Sequence, residues 1–345
     1  MTIIIFILVL GTIVFVHELG HFIFAKLMGV YVYEFSLGMG PKLFGKKGKE
    51  TEYCLRLFPI GGFCSMAGEE VDEEQIKVPK NKRLQDKKAW QRFLIMFFGP
   101  GFNFIFAILT LFVVALFAGS TSYEPIISSV EKNYPAYEIG LEKGDEILEI
   151  NNKKVKTLDD VSIYLTISDK TKNTTIKVEK EDGNIVTYKL KPKKIKEDGE
   201  TSYKYGIGLQ STKKYGFINS VKYTAVKTCS LFKQMFITLE NLFTGGVKVN
   251  QLSGPVGIYS IVGEQSKAGF ASILYLMAFL SINVGFLNLL PIPAFDGGHI
   301  LFIIIEKIKG SPVSQKTENM IHTIGLFLLM ILMIYITFND IIKLF

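Results

Sequence analysis

The sequence predicts an α-helical integral membrane protein with four transmembrane spans, the third of them discontinuous, a membrane-associated β-hairpin and an inserted α+β domain. The chain has 345 residues and a mean hydropathy of +0.29, which is high for a soluble globular protein. Its apolar residues are concentrated in long blocks, which lysine-rich stretches separate. Blocks of this length suit the hydrocarbon core of a bilayer, and the polar stretches suit its aqueous faces.

Four apolar blocks account for the predicted spans. The first runs from Thr2 to about residue 27, and the second covers Phe93–Ala118 without a charged residue. The third covers about 270–290, breaks at two prolines and resumes as a short apolar run, and the fourth covers about 321–338. The first block lacks the basic start and the cleavage site of a signal peptide, so we expect it to remain as a span.

The blocks divide the chain into seven segments. They are 1–28 (first span), 29–92 (cytoplasmic loop with the hairpin at about 52–66), 93–118 (second span), 119–212 (inserted domain), 213–269 (amphipathic and linker region), 270–308 (discontinuous third span) and 309–345 (fourth span and C-terminus). In the inserted domain, alternating residues 174–179 and 185–190 flank a turn sequence and predict a hairpin. Residues 217–243 predict a helix, either on the membrane surface or packed within this domain.

The net charge of +7 predicts contact with anionic lipid head groups, because Lys and Arg flank the apolar blocks. No nucleic-acid-binding motif is present, so we expect no nucleic-acid partner. Residues 26–92 carry 13 of the 39 Lys and Arg residues, and the turn before the last span carries three more lysines. Cytoplasmic loops are enriched in these residues. We therefore expect a multi-pass cell-membrane protein whose two termini and inserted domain are extracytoplasmic.

The strongest motif is His17-Glu18-x-x-His21, which lies midway through the first span. Residues four apart share one face of a helix, so both imidazoles can reach one zinc ion. Glu18 can then take a proton from a water activated by the metal. The short pattern also occurs by chance, but charged groups inside a span are costly and usually functional. The motif predicts a hydrolytic zinc site.

A catalytic zinc site usually has three protein ligands, and the candidate for the third is Asp296. It is the only acidic residue between Glu264 and Glu306, and it lies at the break in the third span. Non-helical backbone at membrane depth is tolerated where it is buried in protein or lines a cavity, so the break itself indicates a site. Taken alone, Asp296 could equally cap the helix that follows it.

Together these motifs resemble the site-2 protease family, in particular its bacterial regulator-of-sigma-E protease branch. The resemblance rests on His17-Glu-Leu-Gly-His21 and on Asn288-x-x-Pro-x-Pro-x-x-Asp296-Gly, and it covers nearly the whole chain. It implies a zinc metalloprotease that acts in regulated intramembrane proteolysis, with its active site towards the cytoplasmic side. Position 295 departs from the family, which often has leucine where this chain has Phe295.

The resemblance also implies roles for individual residues. His17, His21 and Asp296 would hold Zn²⁺, and Glu18 would act as general acid and base. Asn288 would hold the substrate backbone, and a further polar residue, Asn103 in the second span, would line the site. The resemblance also implies the substrates. They would be membrane-spanning proteins, such as anti-sigma factors already cut by another protease, or leftover signal peptides.

The inserted domain resembles a bacterial PDZ domain. The residues that carry this resemblance are Pro135, Ala136, Gly140, Leu141, Gly144, Asp145, Ile147, Leu148, Ile150, Asn151 and Val155. PDZ domains bind an extended peptide by adding a strand to a sheet edge, and residues 126–130 are the expected edge. In the family, this domain implies a substrate gate or size filter.

Residues 52–66 predict a β-hairpin, since their first half alternates and Pro59-Ile-Gly-Gly62 is a turn sequence. The resemblance implies that it dips into the membrane near the metal, where a strand edge could hold a substrate extended. An ordinary cytoplasmic hairpin fits the alternation as well.

Two other classes of protein compete with the protease. A metal transporter would also bury His and Asp in broken helices, but it has no use for Glu18 or a PDZ-like domain. A catalytically inactive membrane scaffold would not need the intact His17-Glu18-x-x-His21 motif together with Asp296.

Overall fold

The chain divides into two compact units. In the computed structural model, residues 1–69, 78–197, 200–209, 212–246 and 252–343 are described. Met1–Leu111 and Val249–Phe345 form the membrane unit, and Phe112–Lys248 form the inserted unit.

Nine helices and twelve strands are found in the described residues. The helices are α1 (Thr2–Leu27), α2 (Ala89–Ala118), α3 (Pro135–Glu138), α4 (Leu158–Ile167), α5 (Phe217–Thr244), α6 (Pro255–Ala268), α7 (Phe270–Leu289), α8 (Asp296–Lys309) and α9 (Gln315–Ile342). The strands are β1 (Val32–Lys47), β2 (Glu52–Met66), β3 (Ser120–Thr121), β4 (Ile127–Val130), β5 (Glu146–Ile150), β6 (Lys153–Lys154), β7 (Thr174–Glu179), β8 (Ile185–Leu190), β9 (Lys193–Glu197), β10 (Glu200–Lys204), β11 (Ile207–Leu209) and β12 (Lys213–Lys214).

Four helices, α1, α2, α7 and α9, are long and apolar enough to cross a membrane. They coincide with the four apolar blocks of the sequence, although α2 begins at Ala89 and α9 at Gln315, each a few residues earlier than the hydropathy predicted. Polar residues extend a helix beyond the bilayer core without changing its apolar stretch, so hydropathy underestimates helix length. The chain has the helices that a multi-pass membrane protein needs.

The predicted interruption of the third span is present. Helix α7 ends at Leu289, and α8 begins at Asp296 after six residues of irregular backbone. Pro291 and Pro293 explain the break, because proline has no N–H to donate within a helix and its ring clashes with the preceding turn. The break places Asp296 in the first turn of α8.

The hairpin forms differently from the prediction. Strand β1 pairs antiparallel with β2, and the tight turn between them is closed by a bond from Gly48 N to the Thr51 carbonyl at 2.8 Å. Residues 52–66 therefore form one strand, not a hairpin of their own. The first half of β1 has partners in both halves of β2, as Phe35 shows by facing Cys64 and also Tyr53. The chain thus bends within β2 and folds back along β1.

The inserted unit is an α+β fold around a four-stranded sheet in the order β6-β5-β7-β8. The predicted hairpin is confirmed as β7 and β8, which pair from Thr174↔Leu190 to Glu179↔Ile185. The stretch expected as a free peptide-binding edge forms β4, which pairs with β11. This pairing occupies one side of β4.

Helix α5 packs one of its faces against the inserted unit. Lys227 bonds to Asp159 on α4 at 2.7 Å, and Lys233 bonds to Asp160 at 2.6 Å. Ile237 of α5 belongs to the buried apolar core of this unit. One face of the helix is thus covered by protein, whereas Phe217, Ile218, Phe236 and Phe243 remain exposed.

Candidate metal centre

His17, Glu18 and His21 lie in the second half of α1, surrounded by apolar residues. Both histidine side chains are buried, and their Nε2 atoms are 3.2 Å apart. The rings meet edge to face at an interplanar angle of 79°, with centroids 4.8 Å apart. In this geometry both in-plane lone pairs converge on one point, which is the arrangement that the four-residue spacing predicted.

Asp296 reaches the same point from the start of α8. Its Oδ2 lies 3.2 Å from His17 Nε2, and its Oδ1 lies 3.4 Å from His21 Nε2. Oδ2 is buried and accepts no hydrogen bond from any described residue. A buried carboxylate oxygen without a donor requires a cation, because the loss of hydration is otherwise uncompensated.

The three side chains fit a tetrahedral zinc ion. With ligand distances of about 2.0–2.1 Å, a tetrahedron places neighbouring ligand atoms about 3.3–3.4 Å apart. The two Nε2 atoms are 3.2 Å apart. The carboxylate approaches them with a different oxygen each, Oδ2 at 3.2 Å from His17 Nε2 and Oδ1 at 3.4 Å from His21 Nε2, so each of these pairs is at the spacing of two ligands of one ion. The donor set of two imidazoles and one carboxylate is one that zinc accepts in catalytic sites, with a fourth position for water. Asp296 begins α8 without forming a side-chain cap bond at its N-terminus, so capping does not account for its position.

Helix α2 orients both imidazoles from behind. His21 Nδ1 lies 2.9 Å from the Ile95 carbonyl, so Nδ1–H donates and leaves the Nε2 lone pair free. Asn103 lies with its amide 3.3 Å from His17 Nδ1. With a metal on Nε2, the His17 proton would lie on Nδ1 and face Nδ2 of Asn103, so a hydrogen bond between them needs the amide turned to present Oδ1. Ser281 Oγ on α7 donates to the main-chain carbonyl of Asn103 at 2.9 Å.

The contact between α1 and α2 depends on glycine. A Cβ added to Gly20 would lie 2.0 Å from the Phe98 carbonyl oxygen, and one added to Gly99 would lie 2.1 Å from His21 Nε2. Without side chains at these positions, the two backbones approach closely enough for α2 to reach the imidazoles. The small residues near the start of the second span were a signal in the sequence for this contact.

A cavity opens in front of the three ligands. Glu18 lines it, together with residues 63–66 of β2 and Glu69. An added Cβ at Gly62 would lie 3.4 Å from Glu18 Cγ, so β2 runs directly beside the carboxylate. Burial raises the pKa of Glu69 to about 7. Glu69, Ile95 and Ser281 belong to no recognisable motif, so nothing in the sequence pointed to them.

The two asparagines lie at different places. Asn103 is fully buried behind His17, so in this structure it offers no surface to a peptide, unlike the expectation that it lines the site. The reason is that α2 packs directly against α1 at this level. Asn288 is half-buried in the last turn of α7 and makes no hydrogen bond to a described residue.

The fold and the metal centre define a membrane-embedded metallohydrolase of the HExxH type. The sequence profile of peptidase family M50 matches residues 5–332. The chain belongs to peptidase family M50, the site-2 protease family. It is therefore an intramembrane zinc metalloprotease with Zn²⁺ as its cofactor, as the motifs predicted.

Named relatives agree with the family. The chain is 33% identical over 420 aligned positions to the zinc metalloprotease RasP of Bacillus licheniformis, with 100% of this chain and 99% of the relative covered. It is 32% identical over 421 positions to the regulator of sigma-W protease RasP of Bacillus subtilis, with 100% and 99% covered. A putative zinc metalloprotease of Clostridium perfringens is 39% identical over 310 positions, with 90% and 89% covered. The Bacillus alignments exceed the length of this chain, so those relatives carry insertions.

Proposed function

We propose that the protein cleaves membrane-spanning protein substrates within or beside their transmembrane segments, with His17, His21 and Asp296 as zinc ligands and Glu18 as general base and acid. The observation that carries the assignment is the convergence of two imidazole nitrogens and one carboxylate, with nearest atoms 3.2–3.4 Å apart, beside a cavity that Glu18 lines. The ion supplies Lewis acidity to the attacking water and to the scissile carbonyl.

The chain's own residues perform the proton transfers. Glu18 takes a proton from the water while the water oxygen bonds to the carbonyl carbon of the substrate. It returns the proton to the leaving amine as the C–N bond breaks. Asn103 and the Ile95 carbonyl hold the imidazoles in the orientation that keeps both Nε2 atoms available. The burial of these contacts limits the approach of bulk water to the ligand side of the centre.

The substrate would lie extended along β2. A helical peptide bond is hydrogen-bonded and shielded, so the chain must unwind before a carbonyl is exposed. Residues 63–66 line the cavity and pair with β1 on one side, which leaves the other side for a substrate strand. Asn288 would bind the substrate backbone with its side-chain amide, which has no hydrogen-bond partner among the described residues.

The hairpin of β1 and β2 would lie in the membrane. Several large apolar side chains in the bent middle parts of β1 and β2, residues 39–44 and 55–58, are exposed to the surroundings. They are Met39, Leu43, Phe44, Leu55, Leu57 and Phe58. A surface of this kind is costly in water and suits lipid. Cys54 is buried, whereas its neighbours Tyr53 and Leu55 are exposed. The strand would thus have one side towards lipid and one towards protein.

The inserted unit would act as a PDZ-like gate for substrates, and the seven segments predicted from the sequence remain the proposed domain scheme. Pro135 begins α3, and Gly140 and Gly144 have positive φ angles of 81° and 100°, so the glycines of the PDZ-like motif occupy turns that favour glycine. The termini and this unit would be extracytoplasmic, because the lysine-rich residues 29–88 then face the cytoplasm.

The substrates would be anti-sigma factors or leftover signal peptides. A relative in Bacillus subtilis carries the name regulator of sigma-W protease, which supports a role in releasing a sigma factor.

The test is cleavage of a single-span substrate by purified protein in detergent. Wild type should cleave, a zinc chelator should stop cleavage, and added Zn²⁺ should restore it. Glu18→Gln should abolish cleavage while the zinc content stays near one per chain, because the ligands are intact. Glu264→Gln makes the same chemical change on the exposed side of α6 and serves as the control. Cleavage by Glu18→Gln at the wild-type rate would contradict the role of Glu18.

A further inference from the structure

The loop between α7 and α8, residues 290–295, is tied to a neighbouring helix through one backbone N–H group. Pro291 and Pro293 have no N–H to donate, so four donors remain in these six residues. Three of them bond to carbonyl groups of the loop itself or of the last turn of α7. The fourth is the N–H of Ala294, which donates to Nδ1 of His322 on α9 at 3.1 Å.

Ala294 needs this support because its backbone is strained. Its φ of +84° lies in the left-handed region, which residues with a Cβ rarely adopt. The Phe295 N–H bonds to the Ile292 carbonyl, so Pro293 and Ala294 are the central residues of a turn. Proline in the first central position and a positive φ in the second define a type II turn, which favours glycine where this chain has alanine. Strain of this kind persists only where surrounding contacts hold it.

One face of α9 supplies those contacts. Glu318, His322 and Gly325 are spaced so that they lie on the same side of the helix. A Cβ added to Gly325 would lie 2.6 Å from Pro293 O, so the helix backbone touches the loop directly. The His322 ring also stacks on the ring of His299, with centroids 3.9 Å apart. His322 therefore contacts the chain both two residues before Asp296 and three residues after it.

The same side chains do not form a second metal site. His299, Glu318 and His322 have suitable donor atoms close together. The two rings, however, are stacked at an interplanar angle of 15°. Imidazole lone pairs lie in the ring plane, so two nearly parallel stacked rings cannot both direct a nitrogen at one ion. His299 Nδ1 also has a partner already, Glu318 Oε1 at 3.1 Å.

We propose that His322 is a positioning residue for the zinc centre, which holds the carboxylate of Asp296 in place by accepting the Ala294 N–H at Nδ1. The Ala294 bond fixes the proton of the neutral ring on Nε2 and keeps Nδ1 as an acceptor. Loss of the acceptor frees the strained turn to relax, and Asp296 moves with it because only Phe295 separates them. This inference rests on the proposed role of Asp296 as a ligand.

Two amide variants test the position of the acceptor. Asn places Oδ1 where histidine has Nδ1, since both atoms are bonded to Cγ, whereas Gln places its amide one atom further along. His322→Asn should therefore release zinc to a chromophoric chelator at close to the wild-type rate. His322→Gln should release it about ten times faster or more, which is the usual effect of removing a partner that orients a ligand. In cleavage of a single-span substrate, kcat should fall for His322→Gln while KM stays near the wild-type value.

The inference is overturned if the two variants release zinc at the same rate. Equal loss would assign the effect to the missing ring stack with His299, and equal retention would show that the loop holds its shape alone. Asp296→Asn in the same assay separates the failures. If Asp296→Asn keeps zinc like the wild type, the proposed ligand is wrong and the inference falls with it. If it loses zinc and His322→Gln does not, only the positioning role is wrong.

Discussion

Gly99→Ala is expected to disable the enzyme through a single methyl group. The added Cβ would lie 2.1 Å from His21 Nε2, 2.4 Å from Cε1 and 2.7 Å from Cδ2 of the same ring. These distances are far inside van der Waals contact, and the clash falls on the proposed ligand atom. The ring cannot easily move away, because Nδ1 is bonded to the Ile95 carbonyl and the helices already touch at Gly20.

The size of the effect follows from the required displacement. Ordinary contact begins at 3.4 Å, so the imidazole must retreat by about 1.3 Å. Metal ligand distances tolerate about 0.2 Å, and a misplacement of about 1 Å in a catalytic group costs about 100-fold in rate. We therefore expect kcat to fall about 100-fold, or about 2.7 kcal/mol of transition-state stabilisation, together with a loss of bound zinc.

The assay compares cleavage and zinc content with those of Gly101→Ala. Gly101 lies two residues further along α2, and its added Cβ would meet only Phe98 at 3.3 Å and Phe97 at 3.6 Å. Both substitutions favour the helix by up to about 1 kcal/mol, so a general effect of alanine on α2 appears equally in the two variants. Full zinc content and at least half of the wild-type kcat in Gly99→Ala would refute the dependence of the ligand geometry on this contact.

Two further predictions concern stability. Burial raises the pKa of Glu69 to about 7, so the folded state holds this proton more tightly than the unfolded chain does. The protonated Glu69 therefore contributes fully to stability below a pH of about 4.5, and this contribution is lost as the pH rises through 7. The thermal unfolding midpoint of the zinc-free protein should therefore decrease as the pH is raised from 5 to 8, and it should decrease by less in Glu69→Gln. An equal decrease in the two proteins would contradict this. Asp340 on α9 accepts hydrogen bonds from the N–H groups of Gly254 and Gly257 at 2.8 and 2.9 Å. Asp340→Ala should lower the thermal unfolding midpoint by several degrees, because hydrogen bonds to a charged group contribute about 1.5–3 kcal/mol. Asp340→Asn keeps an acceptor and should lose less, and equal losses would assign the effect to packing.

The parts of the site that depend on local spacing could be predicted from the sequence. His17 and His21 share a helix face because they are four residues apart, and no tertiary information is needed for that. Asp296 was found because an apolar region contains a single carboxylate beside two prolines. Chain breaks and lone charges in a span are unusual enough to indicate a function. Contacts between residues far apart in the sequence could not be predicted from such local patterns.

The hairpin shows why distant partners were missed. The predicted alternation holds from residue 53 to 57, since Tyr53, Leu55 and Leu57 are exposed where Cys54 is buried, but it ends at Phe58, which is exposed as well. The turn sequence at 59–62 then suggested that the strand pairs with its own continuation. Its partner is β1, whose glycines and proline at 38–45 conceal any alternation. Strand identity is a local property, whereas strand pairing depends on residues that the local pattern does not contain.

Polar residues in the spans were recognised without their partners for the same reason. Asn103 was expected to line the site, but its amide lies against His17 inside the protein, and His322, for which the sequence suggested no partner, accepts a hydrogen bond from Ala294. An unsatisfied polar group in an apolar region is costly, so such a residue predicts that a partner exists. Which partner it finds depends on how closely the helices approach, and here Gly99 and Gly325 allow the approach. The glycines and the polar residues of a span therefore have to be interpreted together: the polar residue indicates that a bond is made, and the glycine indicates which neighbouring backbone comes near enough to make it.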